Sequence, residues 1–116
     1  MKKYKALSLF SGAGGDTLGL EKAGFEVTHF VEFDNDAIKT HKKNFKKSKH
    51  LLSSKGSKSI VDIEDYIFES LKGKIDIIFA GFPCQGFSHA GKKIEGDERN
   101  KLFYEFVRAV RIIKPR

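Results

Sequence analysis

The chain has 116 residues, 40% of them hydrophobic and 32% charged, with 11 Phe and no Trp. That length holds one domain with one modest core rather than two. No stretch approaches the ~20 apolar residues of a membrane span, and a single cysteine excludes an internal disulfide, which makes a reducing, cytoplasmic setting the default. The formal net charge of +7 favours a polyanionic partner such as nucleic acid, although ordinary lysine-rich proteins are also this basic.

Tyr4 to Phe10 is a short apolar run that reads as a strand and leads into a glycine-rich turn. Ser8, Ser11, Gly12 and Gly14 break it too soon for a signal-peptide core. Leu18 to Ala23 reads as a short helix with Gly24 as its stop. Phe25 to Glu32 reads as a second strand. Asp34, Asn35 and Asp36 offer N-caps for a helix with Ala37, Ile38, His41 and Phe45 on one face. The polar stretch Lys46 to Ser59 reads as a loop, and the lysines between Lys39 and Lys58 as a solvated helix face and loop. A brief third strand is expected near Ile60-Val61, then a helix carrying Ile63, Ile67 and Leu71 and closed by Gly73. Ile75 to Ala80 is a continuous apolar run, the pattern of a strand buried on both faces. A polar loop to about Asn100 precedes the most regular helix, with Leu102, Phe103, Phe106, Val107, Val110 and Ile113, ended by Pro115. Four β-α units in succession predict an α/β fold with a mainly parallel sheet and helices on both faces. The sequence stops where a further strand would begin, which suggests a part rather than a whole.

Three places carry chemistry. Phe10-Ser11-Gly12-Ala13-Gly14-Gly15 links a strand to a helix, where glycine permits positive φ and lets a ligand approach the backbone. It is not the Gly-x-Gly-x-x-Gly dinucleotide fingerprint, since Thr17 stands at the third glycine position. Glu32, at the end of the second strand, can accept both ribose hydroxyls of a nucleoside ligand such as S-adenosylmethionine; a structural turn with a solvent-facing Glu explains the same residues equally well. Asp62, at the end of the expected third strand, can accept from an adenine amine, but N-capping a helix that begins at Ile63 is the better reading on residues alone. Cys84 lies in Gly81-Phe82-Pro83-Cys84-Gln85, after the strongest strand. A cysteine there can be exposed near backbone N–H dipoles that favour the thiolate, whereas a lone cysteine is more commonly buried and inert. His89 is near in sequence, but no His/Asp partnership of a cysteine hydrolase and no His/Cys metal-ligand spacing surrounds it, so no metal is expected.

Taken together these residues resemble the cytosine-5 DNA methyltransferase family. Phe10 to Gly15 is similar to its cofactor turn, Glu32-Phe33-Asp34 to its second motif, Asp62-Ile63 to its third, and Gly81-Phe82-Pro83-Cys84-Gln85-Gly86-Phe87-Ser88 to its catalytic fourth. Asp97, Arg99, Leu102 and Phe103 match the segment after the mobile catalytic loop, and Lys114-Pro115 its end. The likeness covers essentially the whole chain, in order. Its one small departure is Ser8, where many relatives have Asp.

The resemblance implies a Rossmann-like S-adenosylmethionine-dependent methyltransferase fold, here incomplete. It implies that Phe10, Gly12, Ala13, Gly14, Gly15, Glu32, Phe33, Asp62, Ile63, Pro83 and Leu102 bind S-adenosyl-L-methionine, the product being S-adenosylhomocysteine. Glu32 would hold the ribose, Phe33 stack on the adenine and Asp62 read its amine. Cys84 would attack C6 of a cytosine flipped out of double-stranded DNA, and Gln85, Ser88, Lys92, Lys93 and Arg99 would meet the nucleic acid. The family's Glu-Asn-Val motif, later arginine motif, target-recognition domain and carboxy-terminal cofactor motif do not occur in these 116 residues. Residues 1–116 are therefore expected to be the amino-terminal part of a catalytic domain, inactive alone, with the missing carboxy-terminal half or subunit as a second partner and no membrane contact. A cytoplasmic restriction–modification enzyme acting on the bacterial nucleoid fits this reading. An RNA (tRNA) cytosine-5 methyltransferase, or a non-catalytic remnant or split-enzyme subunit, remains an alternative.

Overall fold

The computed structural model describes residues 3–12, 14–81 and 98–116, with side chains from residue 101 in the last stretch. Four strands, β1 (Tyr4–Leu9), β2 (Phe25–Val31), β3 (Lys49–His50) and β4 (Ile77–Ala80), pair in parallel in the order β3-β2-β1-β4. Each is followed by a helix: α1 (Gly15–Lys22), α2 (Asn35–Asn44), α3 (Asp65–Glu69) and α4 (Glu98–Ile113). The expected α/β architecture of four β-α units is present.

Parallel strands demand burial on both faces, and β1 meets that demand. Ala6 to Leu9 are fully buried, with β2 on one side and β4 on the other. Because side chains alternate along a strand, Leu7 and Leu9 face one layer while Ala6 and Ser8 face the other. The leucine side meets Ile60, Ile63, Phe68, Leu71, Ala109 and Ile113, gathered from α3, α4 and the segments between strands. On the opposite side Phe30, the register partner of Ser8, stacks on His41 of α2, and His41 bonds Thr17 of α1. Helices therefore cover both faces, as the pattern predicts.

Arg108 fastens α4 to its layer. Its guanidinium donates to Asp65 at 2.6 Å, to Glu105 at 2.7 Å and to the Ile60 carbonyl at 3.0 Å, and lies 4.9 Å above the Phe68 ring. A planar fork of five donors can reach three elements at once; a lysine cannot.

The structure corrects several boundaries. α1 starts at Gly15 rather than Leu18, and ends as expected at Gly24, whose φ of 99° suits glycine after a helix terminus. Asp34 is the N-cap of α2, accepting from Asp36 N and Ala37 N. The third strand is not at Ile60-Val61, which form a one-turn 3₁₀ helix, Ile60–Asp62; it is Lys49–His50, inside the segment read as a loop. α3 spans only Asp65–Glu69, yet Ile63 and Leu71 on either side of it are buried as the spacing requires. α4 begins at Glu98 within the expected polar loop. β4 is not buried on both faces: it is an edge of the described sheet, with Phe79 38% exposed.

Phe68 is fully buried between α3, α4 and the Arg108 guanidinium. Phe68→Ala is expected to cost about 3–5 kcal/mol through the cavity it leaves. Urea unfolding of the two proteins measures this; a loss under about 1 kcal/mol would mean that this layer closes without the ring.

Candidate active site at the carboxyl ends of the strands

In an open parallel sheet the crevice for a ligand lies at the carboxyl ends of two strands whose connections leave in opposite directions. Here that point is between β1 and β4, because the chain runs outward from β1 through β2 to β3 and then returns to the far side of β1. The glycine turn leaves β1 there and the Pro-Cys turn leaves β4 there. The two starts touch. Gly81 N donates to Leu9 O at 3.1 Å, and a Cβ placed on Gly81 would lie 3.3 Å from Phe10 O and 2.8 Å from Asp16 Oδ2. The half-buried Asp16 carboxylate from the first turn of α1 thus lies over the entry to the Pro-Cys turn.

The glycine turn is strained and braced. Phe10 takes φ 57°, a left-handed conformation that bulky residues rarely adopt. Gly14 has φ 109°, and a Cβ there would meet Phe45 at 2.6 Å and His41 at 3.1 Å. Gly14 is therefore fixed twice, by its dihedral and by the aromatic rings behind it. Among the described residues nothing would meet a Cβ on Gly12, which leaves that side open to a ligand.

Glu32 ties this turn to the next. One carboxylate oxygen accepts from Gly12 N at 2.8 Å and the other from Asp34 N at 3.0 Å. Each oxygen keeps a second lone-pair direction, so two hydroxyls of a ribose can still be accepted by the same carboxylate. The Glu32 carbonyl is held from below by His50 Nε2–H at 2.9 Å. Burial holds the His50 pKa below its ordinary value. Beside this carboxylate Phe33 is 72% exposed, a flat apolar face with no cover among the described residues.

The remaining expected residues divide. Gly15 opens α1 and faces solvent. Asp62 stands at the end of the 3₁₀ helix, exposed, accepting from Ser57 Oγ at 2.6 Å; it neither ends a strand nor caps α3, whose N-cap is Glu64. The Ile63 side chain is buried in the core, and Leu102 packs half-buried against the same cluster. Ala13, Pro83, Cys84, Gln85, Ser88, His89, Lys92, Lys93 and Asp97 lie outside the described residues, as does the Arg99 side chain. Lys39, Lys42, Lys43, Lys46 and Lys47 are exposed, as a solvated face requires. A cavity of about 570 Å³ opens at the other, amino end of the strands, between Lys3, Lys5, His29, Lys74 and Arg116. Burial, then Lys49 and Lys74, lowers the His29 pKa there. Sequence reasoning did not pick out Asp16, Thr17, His41 or His50 as parts of this end of the sheet. Each is polar or titratable: Asp16 and Thr17 stand in the first turn of α1, His41 on α2, and His50 in β3 where it pairs with β2. Among the described residues no group of three or more His, Cys, Asp and Glu is placed to hold a metal, and no helix is long and apolar enough to cross a membrane.

Glu32→Ala removes the acceptor for two backbone amides that belong to different turns. A stability loss of about 1–2 kcal/mol is expected, below the upper range for charged hydrogen bonds because the Asp34 side is open to water. Glu32→Gln, which keeps one carbonyl acceptor, should lose less. Thermal unfolding and the hydrogen-exchange rate of the Gly12 amide measure this, and an unchanged Gly12 rate in Glu32→Ala would remove the brace.

The C-5 cytosine-specific DNA methylase family model matches residues 4–116. The chain is 43% identical over 114 residues to the Type II methyltransferase M.Eco47II of Escherichia coli, covering 97% of this chain and 25% of that protein. It is 44% identical to the Type II methyltransferase M.FnuDI of Fusobacterium nucleatum, over 97% of this chain and 30% of that protein. Among solved structures, a DNA modification methyltransferase encoded within an E. coli prophage superposes with a TM-score of 0.76 at 36% identity, over 97% of this chain and 30% of that one. The Spodoptera frugiperda DNMT2 structure, 24% identical, shares the fold with a TM-score of 0.65 over 93% of this chain and 31% of that one. The chain thus spans about a quarter to a third of the length of the relatives it matches, and through residues 4–116 it belongs to the C-5 cytosine-specific DNA methylase family.

Proposed function

We propose that this chain supplies the cofactor-binding and nucleophile-bearing part of a DNA (cytosine-5)-methyltransferase that uses S-adenosyl-L-methionine and attacks a flipped cytosine through Cys84. The observation that carries this reading is the meeting of the two motif turns: they leave β1 and β4 where the strand order reverses, joined by Gly81 N to Leu9 O. A cofactor on the first turn would then lie beside a nucleophile on the second.

The residues present fit such a cofactor. Among the described residues Glu32 keeps two acceptor directions unfilled at the carboxyl end of β2, the Phe33 ring is uncovered and could take the adenine, and the Gly12 side leaves room for the methionine end. When bound, S-adenosylmethionine would supply an electrophilic methyl group, its sulfur–methyl bond breaking so that S-adenosylhomocysteine is the leaving group. This chain's part is to orient it and to make cytosine nucleophilic. The Cys84 thiolate forms a bond to C6, and the C5–C6 π electrons become available at C5 for bonding to the methyl. Loss of the C5 proton to a base and breaking of the C6–S bond restore the ring and the thiolate. C6 is attacked from the face of the ring, which stacking hides in a duplex, so the base has to leave the helix. Gln85, Ser88, Lys92, Lys93 and Arg99 would hold the DNA backbone near the displaced base.

Double-stranded DNA is favoured over RNA because the relatives at 43–44% identity are Type II methyltransferases, while the DNMT2 likeness carries the fold alone. Activity is proposed for the assembled enzyme, with the cytosine-activating and target-recognition segments supplied beyond residues 1–116. A cytoplasmic setting follows from a chromosomal substrate.

Covalent trapping tests the reading. Reconstituted with a carboxy-terminal portion from a relative, the protein should form a denaturation-resistant adduct with 5-fluorocytosine duplex DNA when S-adenosylmethionine is present. Cys84→Ser should abolish that adduct, and 5-fluorocytosine RNA should give none. Undiminished trapping by Cys84→Ser removes Cys84 from the role, and trapping on RNA alone transfers the activity to the other substrate.

A further inference from the structure

His41 is the least expected residue behind the glycine turn. It lies on α2 with no exposed surface, although imidazole is polar and titratable. Its ring stacks on Phe30 at 3.8 Å and 25°, meets Phe45 at 5.0 Å, and forms a 2.7 Å hydrogen bond through Nε2 to Thr17 Oγ1 in the first turn of α1. The His41 and Phe45 rings stand where a Cβ on Gly14 would lie, 3.1 Å and 2.6 Å from it. The ring thus backs the turn at Gly14 and is bonded three residues later to Thr17.

Burial also selects the form of the ring. Nδ1 has no hydrogen-bond partner among the described residues. An unpaired lone pair is tolerated in a core better than an unpaired N–H, so the single proton belongs on Nε2, donating to Thr17. A second proton would put an N–H without an acceptor, and a positive charge, into a site closed to water.

We infer that His41 is a positioning residue for the glycine turn: as a neutral ring it props Gly14 and holds Thr17, and its protonation releases the turn. The consequence for the ligand, weaker cofactor binding in acid, rests on the cofactor reading given above. The titratable groups facing the ring are few. His50 comes from β3, stacked on the same Phe30 at 4.8 Å, and opposes a second cation; Glu32, at the end of β2, favours one. From α1 the ring meets the uncharged Thr17, because Asp16 is turned to Gly81. Lys42 and Lys43, its neighbours on α2, are exposed. Burial is the largest influence, followed by His50, and the two outweigh Glu32, leaving the His41 pKa below its ordinary value of 6.5. The sign follows. A histidine whose folded pKa is depressed contributes fully above pH 6.5, and that contribution is lost as pH falls below 6.5 towards the folded value.

The test follows His41 itself in the ¹⁵N-labelled chain by NMR, from about pH 7.5 to about pH 5. The His41 ring is expected to titrate below 6.5, with the Gly14 amide shift moving at the same midpoint. S-adenosylhomocysteine affinity of the protein reconstituted with a carboxy-terminal portion from a relative, measured by calorimetry over the same range, should fall along that curve. His41→Gln should bind roughly tenfold more weakly at neutral pH, the worth of about one hydrogen bond, and its Gly14 amide should lose this titration. Thr17→Val, which keeps the shape, gives the same tenfold loss should His41→Gln fail to fold. A Gly14 amide that ignores the His41 midpoint, or a His41 that titrates at or above 6.5, overturns the inference. A Gly14 amide that follows His41 while the reconstituted protein binds S-adenosylhomocysteine at no pH upholds the prop and overturns the cofactor reading instead.

Discussion

The carboxylate of Glu32 joins the two turns on which the rest of this end of the molecule depends. A parallel sheet leaves its strand ends unconnected to one another, since each strand departs into its own helix. At β1 and β2 those departures are the glycine turn and the Phe33-Asp34 corner, and both would present bare amides to solvent. One carboxylate accepts from Gly12 N and Asp34 N together. Asp34, placed by that bond, in turn caps α2 through Asp36 N and Ala37 N. The start of α2 and the outer edge of the glycine turn are thereby set by the same group, and α2 carries the rings that support Gly14.

Local signals in the sequence located what is local. Asp34 before Asn35-Asp36-Ala37 marks the start of α2 because an Asx side chain satisfies amides two and three residues ahead, and the structure has those bonds. Gly24 marks the end of α1 for the same kind of reason. The apolar runs Tyr4 to Phe10 and Ile75 to Ala80 marked strands of the sheet, and the 3.6-residue spacing from Leu102 to Ile113 marked its longest helix. The misreadings are where distant contacts decide. Ile60-Val61 has strand-forming side chains, but the backbone closes a 3₁₀ turn through Asp62 N to Ser59 O and Ile63 N to Ile60 O, and Arg108, 48 residues away, adds a bond to the Ile60 carbonyl. β3 is two residues long, too short to show a period, and is made by pairing with His29 and Phe30. Phe79 matches a doubly buried strand by composition, while its exposure depends on what lies beyond the β4 edge.

The candidate site was legible to a similar degree. The glycines, Glu32 and Phe33 are recognisable as motif residues, and the structure places them together at one end of the sheet. That Glu32 is already engaged by two amides is not in the motif, because both bonds are to backbone. Its role as a ribose acceptor would therefore be performed by a group that is already immobile, which reduces the entropy lost when a ligand is held. His41 reads from its spacing as part of the apolar face of α2, and it is buried there. What position could not show is that His41 and His50 share one aromatic partner, Phe30, and reach opposite parts of the same turn through Thr17 and Glu32.

This arrangement divides the work between the two turns. The glycine turn is supported in front by a carboxylate and behind by two aromatic rings, all from residues 30–45. Gly81, where the chain leaves β4, is held by the bond from its N–H to Leu9 O, and a Cβ there would meet Phe10 O and Asp16. The methyl transfer proposed above would need its donor held in one orientation, since in-line displacement tolerates little misalignment. A glycine turn braced by β2 and α2 would suit that side of the reaction. The shared contact at Gly81 is what would keep the second turn in register with the first.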